Sequence, residues 1–265
     1  MTQDPARSIP EPVKREVRQR CGFGCVICGL PLYEYEHMME WAEVKRHVAD
    51  EITLLCDQHH REKTGRLLPI SAVKKANLNP FNLRAGSSKP YDLHYEGDFA
   101  AGIIGGNRFV ASLTNPPHVL HFLTIDGISI INFSGEDGHL FLNMNLLDSE
   151  GSTILVIEKN TLVYSTDTWD ITLIGRNLIL RQAQRKILFD ISFETPNKII
   201  LNRANISMNS IELKILPDSV LLIPAYIEMS GNVSIGANAG IRIGRRVGGA
   251  MAMIGIDEPP RHKDN

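Results

Sequence analysis

Two short pairs of soft metal ligands constrain this 265-residue chain more than anything else in it: Cys25-x-x-Cys28 in "CVIC" and Cys56-x-x-His59 in "CDQH". Each pair sets two donors on one tight turn. Together they supply the four ligands of a tetrahedral zinc site of Cys3His type. A site filled by four protein ligands is closed, so it holds a fold together and leaves no open position for chemistry. Such a site would pin residue 56 and the helix after it to the turn at 25–28. All four cysteines lie at positions 21, 25, 28 and 56, and none follows. That clustering argues for a local metal site and against a disulfide framework. Cys21, three residues before the first pair, reads as a packed thiol.

The chain around these ligands has a coarse secondary structure. "PEPVKREVRQRCG" reads as a short helix: Pro12 suits a first turn, Glu16 and Arg20 stand i,i+4, and Gly22 can end it. "LYEYEHM" alternates like a strand, and "EITLLC" is a second strand. "DQHHREKTGRLL" then reads as a helix with Asp57 as its N-cap. "PISAVKKANLNPFNLRAGSSKP" gives a further short helix and a linker, punctuated by proline, glycine and serine. Residues 1–11 read as a loose tail, and the boundary between two domains, 1–88 and 89–265, falls in the linker.

Beyond that boundary the texture changes. Segments such as "HVLHFLTI", "HLFLNMNLL", "KILFDISF" and "SVLLIPAYIEM" are short, rich in Ile, Leu and Val, and split by Gly, Asn, Asp or Pro. This is the pattern of an all-β domain, a sandwich or a solenoid-like stack. The expected class is therefore α+β: a small zinc-bound N-terminal domain followed by an all-β domain. "IDEPPRHKDN" reads as a frayed C-terminal tail. Many short strands expose edges, so the β domain is a candidate platform for homo-oligomerisation, partner docking or shape-based guidance of a substrate.

Three polar residues near the zinc ligands remain unexplained by zinc: Glu36, His37 and His60. His59 and His60 are adjacent on a helix and so point about 100° apart. If His59 faces zinc, His60 faces elsewhere. Glu36 and His37 point to opposite faces of a strand unless the strand ends there. At a strand end, a carboxylate and an imidazole can approach one hard cation beside a general base.

The CxxC pair, the acid-His pair Glu36-His37 and the run "LLCDQHHREKT" together resemble the HNH nuclease family over roughly residues 12–75. The resemblance implies a ββα-metal core and a metal-dependent endonuclease that hydrolyses phosphodiester bonds of DNA. It implies that His37 is the general base, that Glu36 and His60 hold a divalent cation (magnesium, manganese or nickel), and that Cys25, Cys28, Cys56 and His59 hold structural zinc. Glu51 stands where the family has an asparagine that orients the base, and its carboxylate can accept the same hydrogen bond. Asp50 and His47 are nearby alternatives for that role. Arg61 and Lys63, on the same helix as His60, are candidate phosphate contacts. Nucleases of this family with appended domains also occur in restriction and anti-phage systems, which is the biological setting the resemblance implies.

Charge adds a modest hint. Residues 1–90 carry 14 Lys and Arg against 11 Asp and Glu, while the remainder carries 14 against 19. A mildly basic head suits a polyanion. No run of about 18 apolar residues suggests a membrane span, and the N-terminus lacks an apolar targeting segment, so the expected compartment is the cytoplasm. The alternative function is a catalytically silent zinc module that binds nucleic acid or protein, a reading favoured by Glu51 in place of asparagine.

Overall fold

The computed structural model describes residues 8–39, 41–114, 118–148, 150–248, 250–259 and 261–262. The first part of the expected N-terminal tail, residues 1–7, lies outside them. The chain is mostly strand with few helices, and it divides into two compact units, residues 1–91 with 163–174 and residues 92–162 with 175–265.

In the first unit, α1 (Glu11–Cys21) starts after Pro10, carries Pro12 in its first turn, and ends at Gly22, whose φ of 69° takes the chain out of the helix. β1 (Glu34–His37) pairs antiparallel with β2 (Ile52–Leu55), with Glu36 opposite Thr53 and His37 opposite Ile52. Between them lie α2 (Trp41–Val44) and a single 3-10 turn at Ala49–Glu51. α3 (Asp57–Thr64) follows directly. Its N-cap is Cys56, one residue before the position the sequence suggests; the Cys56 carbonyl accepts the His60 N–H at 2.8 Å. Asp57 becomes a first-turn residue, where its charge suits the helix dipole. α4 (Ile70–Leu78) is followed by a second short helix, α5 (Phe81–Ala85), inside the stretch read as linker. Pro80 opens α5, and the buried Asn82 amide donates to the Gly22 carbonyl at 2.9 Å. That tertiary contact is invisible to local patterning.

β2 is buried at every position and forms the centre of this unit's core, with Val17 of α1, Val26 and Val73 of α4 among its buried neighbours. Each fully buried aliphatic side chain of this kind contributes roughly 1.5–3 kcal/mol relative to exposure.

Residues 163–174 complete the unit from far along the chain. Asp170, 1% exposed at its side chain, accepts from Arg18 Nε at 2.7 Å and Nη2 at 2.8 Å, and Arg18 is only 2% exposed. Arg18 Nη1 donates to Tyr35 Oη at 2.7 Å. The Tyr164 hydroxyl donates to the Phe23 carbonyl at 2.6 Å. A buried pair adds little net stability when intact, but losing Asp170 would leave the buried Arg18, among the described residues, with only the exposed Glu11 carboxylate as counter-charge, at 2.9 Å. Asp170→Ala is therefore expected to destabilise this unit by about 3–5 kcal/mol in denaturant unfolding, and adding Arg18→Met should recover much of it.

The second unit is all β. One sheet runs in the order Ala252–Ile256, Ala239–Ile243, Val119–Ile125, Ile128–Glu136, His139–Leu147, Thr153–Glu158. The other runs Asn177–Ala183, Lys186–Glu194, Lys198–Met208, Ile211–Ile215, Val220–Ile223, Ile227–Met229, joined at its long central strand by Phe99–Ile104. Most neighbours are consecutive in sequence and antiparallel, which is a meander and not a solenoid coil. Alternating burial, as in His139–Leu147, turns one face of each sheet inward. Rings pack on that inner face: Phe109, on the strand Asn107–Ser112 paired with Phe99–Ile104, lies 6.4 Å from Phe122 of the other sheet, and Phe122 lies 5.7 Å from Phe133 on the next strand of its own sheet. Two-residue turns at Asp126-Gly127 and Asp137-Gly138 have positive φ at both positions, as tight hairpins require.

Phe99–Ile104 was not expected, because "FAAGII" has little strand character of its own. Gly102 is tolerated there because the Phe122 ring packs over it and a Cβ would collide with that ring. The C-terminal segment is docked where described, not frayed: Arg261 donates to both carboxylate oxygens of Asp126, and the His262 N–H donates to the Ser210 carbonyl. Residues 263–265 lie outside the described residues. Among the described residues no helix is long and apolar enough to cross a membrane.

Candidate metal centre

The turn at 25–28 and the start of α3 bring Cys25, Cys28, Cys56 and His59 together, with one ligand atom from each lying within 4.8 Å of every other. The turn is tight because the Gly29 N–H donates to the Cys25 carbonyl at 2.7 Å, and Gly29 has a φ of 78° that a side chain would strain. The Val26 N–H donates to the Leu54 carbonyl, which ties the turn to β2. His59 stands three residues after Cys56, in the first turn of α3, and its Nδ1 is 3.2 Å from Cys56 Sγ and 3.4 Å from Cys25 Sγ. Cys28 Sγ is 3.8 Å from Cys56 Sγ.

These spacings fit a tetrahedral ion. Zinc–sulfur bonds of about 2.3 Å place two sulfurs of one tetrahedron about 3.8 Å apart. The four residues could thus hold zinc without rearrangement. A hydrogen bond from Cys28, aided by backbone donors and opposed by burial, holds the Cys25 thiol down to about 4, while the same bond and burial push Cys28 up. The downward shift at Cys25 favours the thiolate form that a metal ligand requires. Cys21 lies outside the cluster, buried, with its sulfur 3.6 Å from Asn77 Oδ1.

A second polar cluster sits beside the first. Glu34 and Glu36 are two residues apart on β1 and so share a face. Glu36 Oε2 is 3.0 Å from His60 Nε2, and Glu34 Oε2 is 3.6 Å from His60 Nδ1. Glu36 Oε1 accepts from Lys63 Nζ, and the Lys63 side chain is only 5% exposed. Lys63 is thus engaged with Glu36, whereas Arg61 is 77% exposed and pairs with Asp57 at 2.9 Å. Glu34 was not picked out from sequence; its signal was the alternation E-Y-E on a strand.

His37 ends β1 and has different neighbours. Its Nε2 is 3.3 Å from His47 Nδ1, and the His47 ring stacks on Trp41 at 4.6 Å. Burial, then the nearby His47, lowers the His37 pKa, with Glu36 and Glu51 acting in the opposite sense. Glu51 accepts from Arg46 Nε at 3.0 Å and from Arg46 Nη2, a pairing that holds its carboxyl below the usual range. Glu51 therefore acts on His37 through space, while the imidazole in contact with His37 is that of His47. Asp50 lies 3.9 Å from Arg20 Nε and is largely exposed.

No protein-family model, curated protein or solved structure matches this chain.

Proposed function

We propose that the chain is a metal-dependent endonuclease of the HNH class that hydrolyses DNA phosphodiester bonds, with the Cys25, Cys28, Cys56 and His59 cluster holding structural zinc. The observation that carries this reading is the 3.0 Å approach of Glu36 Oε2 to His60 Nε2. Cis ligands of a cation with bonds of about 2.1 Å are about 3.0 Å apart, so these two atoms fit adjacent coordination positions of magnesium, manganese or nickel. The order β1, β2, α3 and the placement of the two histidines on different sides of α3 support the same reading.

His37 takes the proton from an attacking water, and its lowered pKa keeps the imidazole in the neutral, accepting form near pH 7. Glu36 and His60 would hold a divalent cation between them, and such a cation would supply positive charge to stabilise the phosphodiester and its leaving oxygen. His47, stacked on Trp41, limits the swing of the His37 ring. Phosphate charge dominates binding, so affinity should fall steeply with added salt.

The test is nicking of supercoiled plasmid with magnesium, manganese or nickel supplied in turn. Glu36→Gln should reduce nicking by at least about a hundredfold at equal zinc content, as expected for loss of a cation ligand. Equal nicking by both proteins would remove Glu36 from the mechanism. The silent-module reading draws on the pairing of Glu51 with Arg46 and of Glu36 with Lys63. It predicts zinc content and nucleic-acid or protein binding with no cleavage in any metal.

A further inference from the structure

Lys63, read from sequence as a candidate phosphate contact, is instead bonded to Glu36 in the second cluster. It lies three residues after His60 on α3, on the same helix face, and it reaches the same carboxylate. Glu36 thereby divides its oxygens, Oε2 toward His60 and Oε1 toward Lys63. A lysine side chain only 5% exposed is rarely found without a partner, and withdrawing it from Glu36 would strand it. Its charge is a fixed part of the site.

That charge changes what the site can bind. Glu34 and Glu36 contribute two negative charges and Lys63 one positive, leaving one net negative charge beside His60. A divalent cation would turn this into one net positive charge, with an ammonium sharing its carboxylate ligand. One phosphodiester group restores neutrality. Repulsion between two cations this close, in a partly desolvated place, is strong enough to weaken cation binding by an order of magnitude or more.

We propose that Lys63 makes the reactive cation conditional on nucleic acid: the divalent ion binds weakly to the free protein and tightly once a backbone phosphate is in place. The inference rests on the nuclease reading above. Coupling of this kind is reciprocal, so the cation tightens nucleic-acid binding by the same factor. It also keeps the free enzyme short of its reactive metal, which limits cleavage chemistry to the bound complex.

The experiment is a titration of Mn2+ followed by electron paramagnetic resonance, on the full zinc-loaded chain carrying His37→Ala so that the nucleic acid survives. It is run with and without a short DNA duplex of mixed sequence. The duplex is expected to tighten Mn2+ by at least about tenfold. Adding Lys63→Met should tighten Mn2+ about tenfold without duplex and leave little further gain with it. Lys63→Gln, which keeps a hydrogen bond to Glu36 without the charge, serves if the methionine variant loses its zinc. Lys63→Arg should retain the dependence on duplex. Mn2+ bound equally well with and without duplex would overturn the proposal while leaving the nuclease reading intact, as would an unchanged dependence in a folded, neutral Lys63 variant. Absence of Mn2+ binding even with duplex, together with no plasmid nicking by the native chain, would overturn both.

Discussion

Alanine at His37 is expected to abolish detectable nicking, a fall of about a hundredfold to ten-thousandfold, the usual contribution of a positioned general base. The expectation has three physical grounds. His37 ends β1 next to Glu36 in sequence, so the proposed base and the proposed cation ligand are held by one strand. Burial and His47 lower its pKa, which favours the neutral imidazole. Glu51, the other group the sequence suggested here, is committed to Arg46 and is poorly placed to substitute. His37 is not among the four clustered ligands, so the variant should bind one zinc per chain like the native protein. Metal analysis and plasmid nicking, measured on the same preparations, check both halves. Nicking that survives in the variant would assign the activity to another residue or to a contaminant.

Removing zinc is expected to unfold the first unit and spare the second. The cluster joins the turn at 25–28 to the junction of β2 and α3, beside the backbone bonds that Val26 makes with Leu54 and Phe81. Structural zinc binding in small domains is worth about 10–16 kcal/mol, more than the stability of most domains of this size. Chelation, or Cys56→Ser, should therefore remove the helical part of the far-UV signal and leave the strand signal. α3 also carries His60 and Lys63, so cation binding at Glu36 should vanish in step. A first unit that stays folded after complete demetallation would mean that the core around β2 suffices by itself.

How much could be read beforehand depended on the range of the interaction. The Cys3His grouping was legible because each half lies within four residues and the spacing alone dictates a turn. The β-rich second half was legible because short runs rich in Ile, Leu and Val are cut at regular intervals by Gly, Asn, Asp or Pro. α5 and Phe99–Ile104 were not, because Asn82 and Gly102 owe their settings to Gly22 and to Phe122, both distant in sequence. The docking of Arg261 on Asp126 was hidden for the same reason.

The sequence by itself determined the donor set, the order of strand, strand and helix around it, and the separation of His59 from His60 by the turn of a helix. Those follow from local geometry, which short spacings encode. Only the tertiary structure decided that Glu36 shares its carboxylate between His60 and Lys63, that His47 and not Glu51 touches His37, and that Asp170 returns to neutralise Arg18. In each case a buried or half-buried charge or ring takes the nearest compatible partner, and which partner is nearest is set by packing, not by the neighbouring residues in the chain.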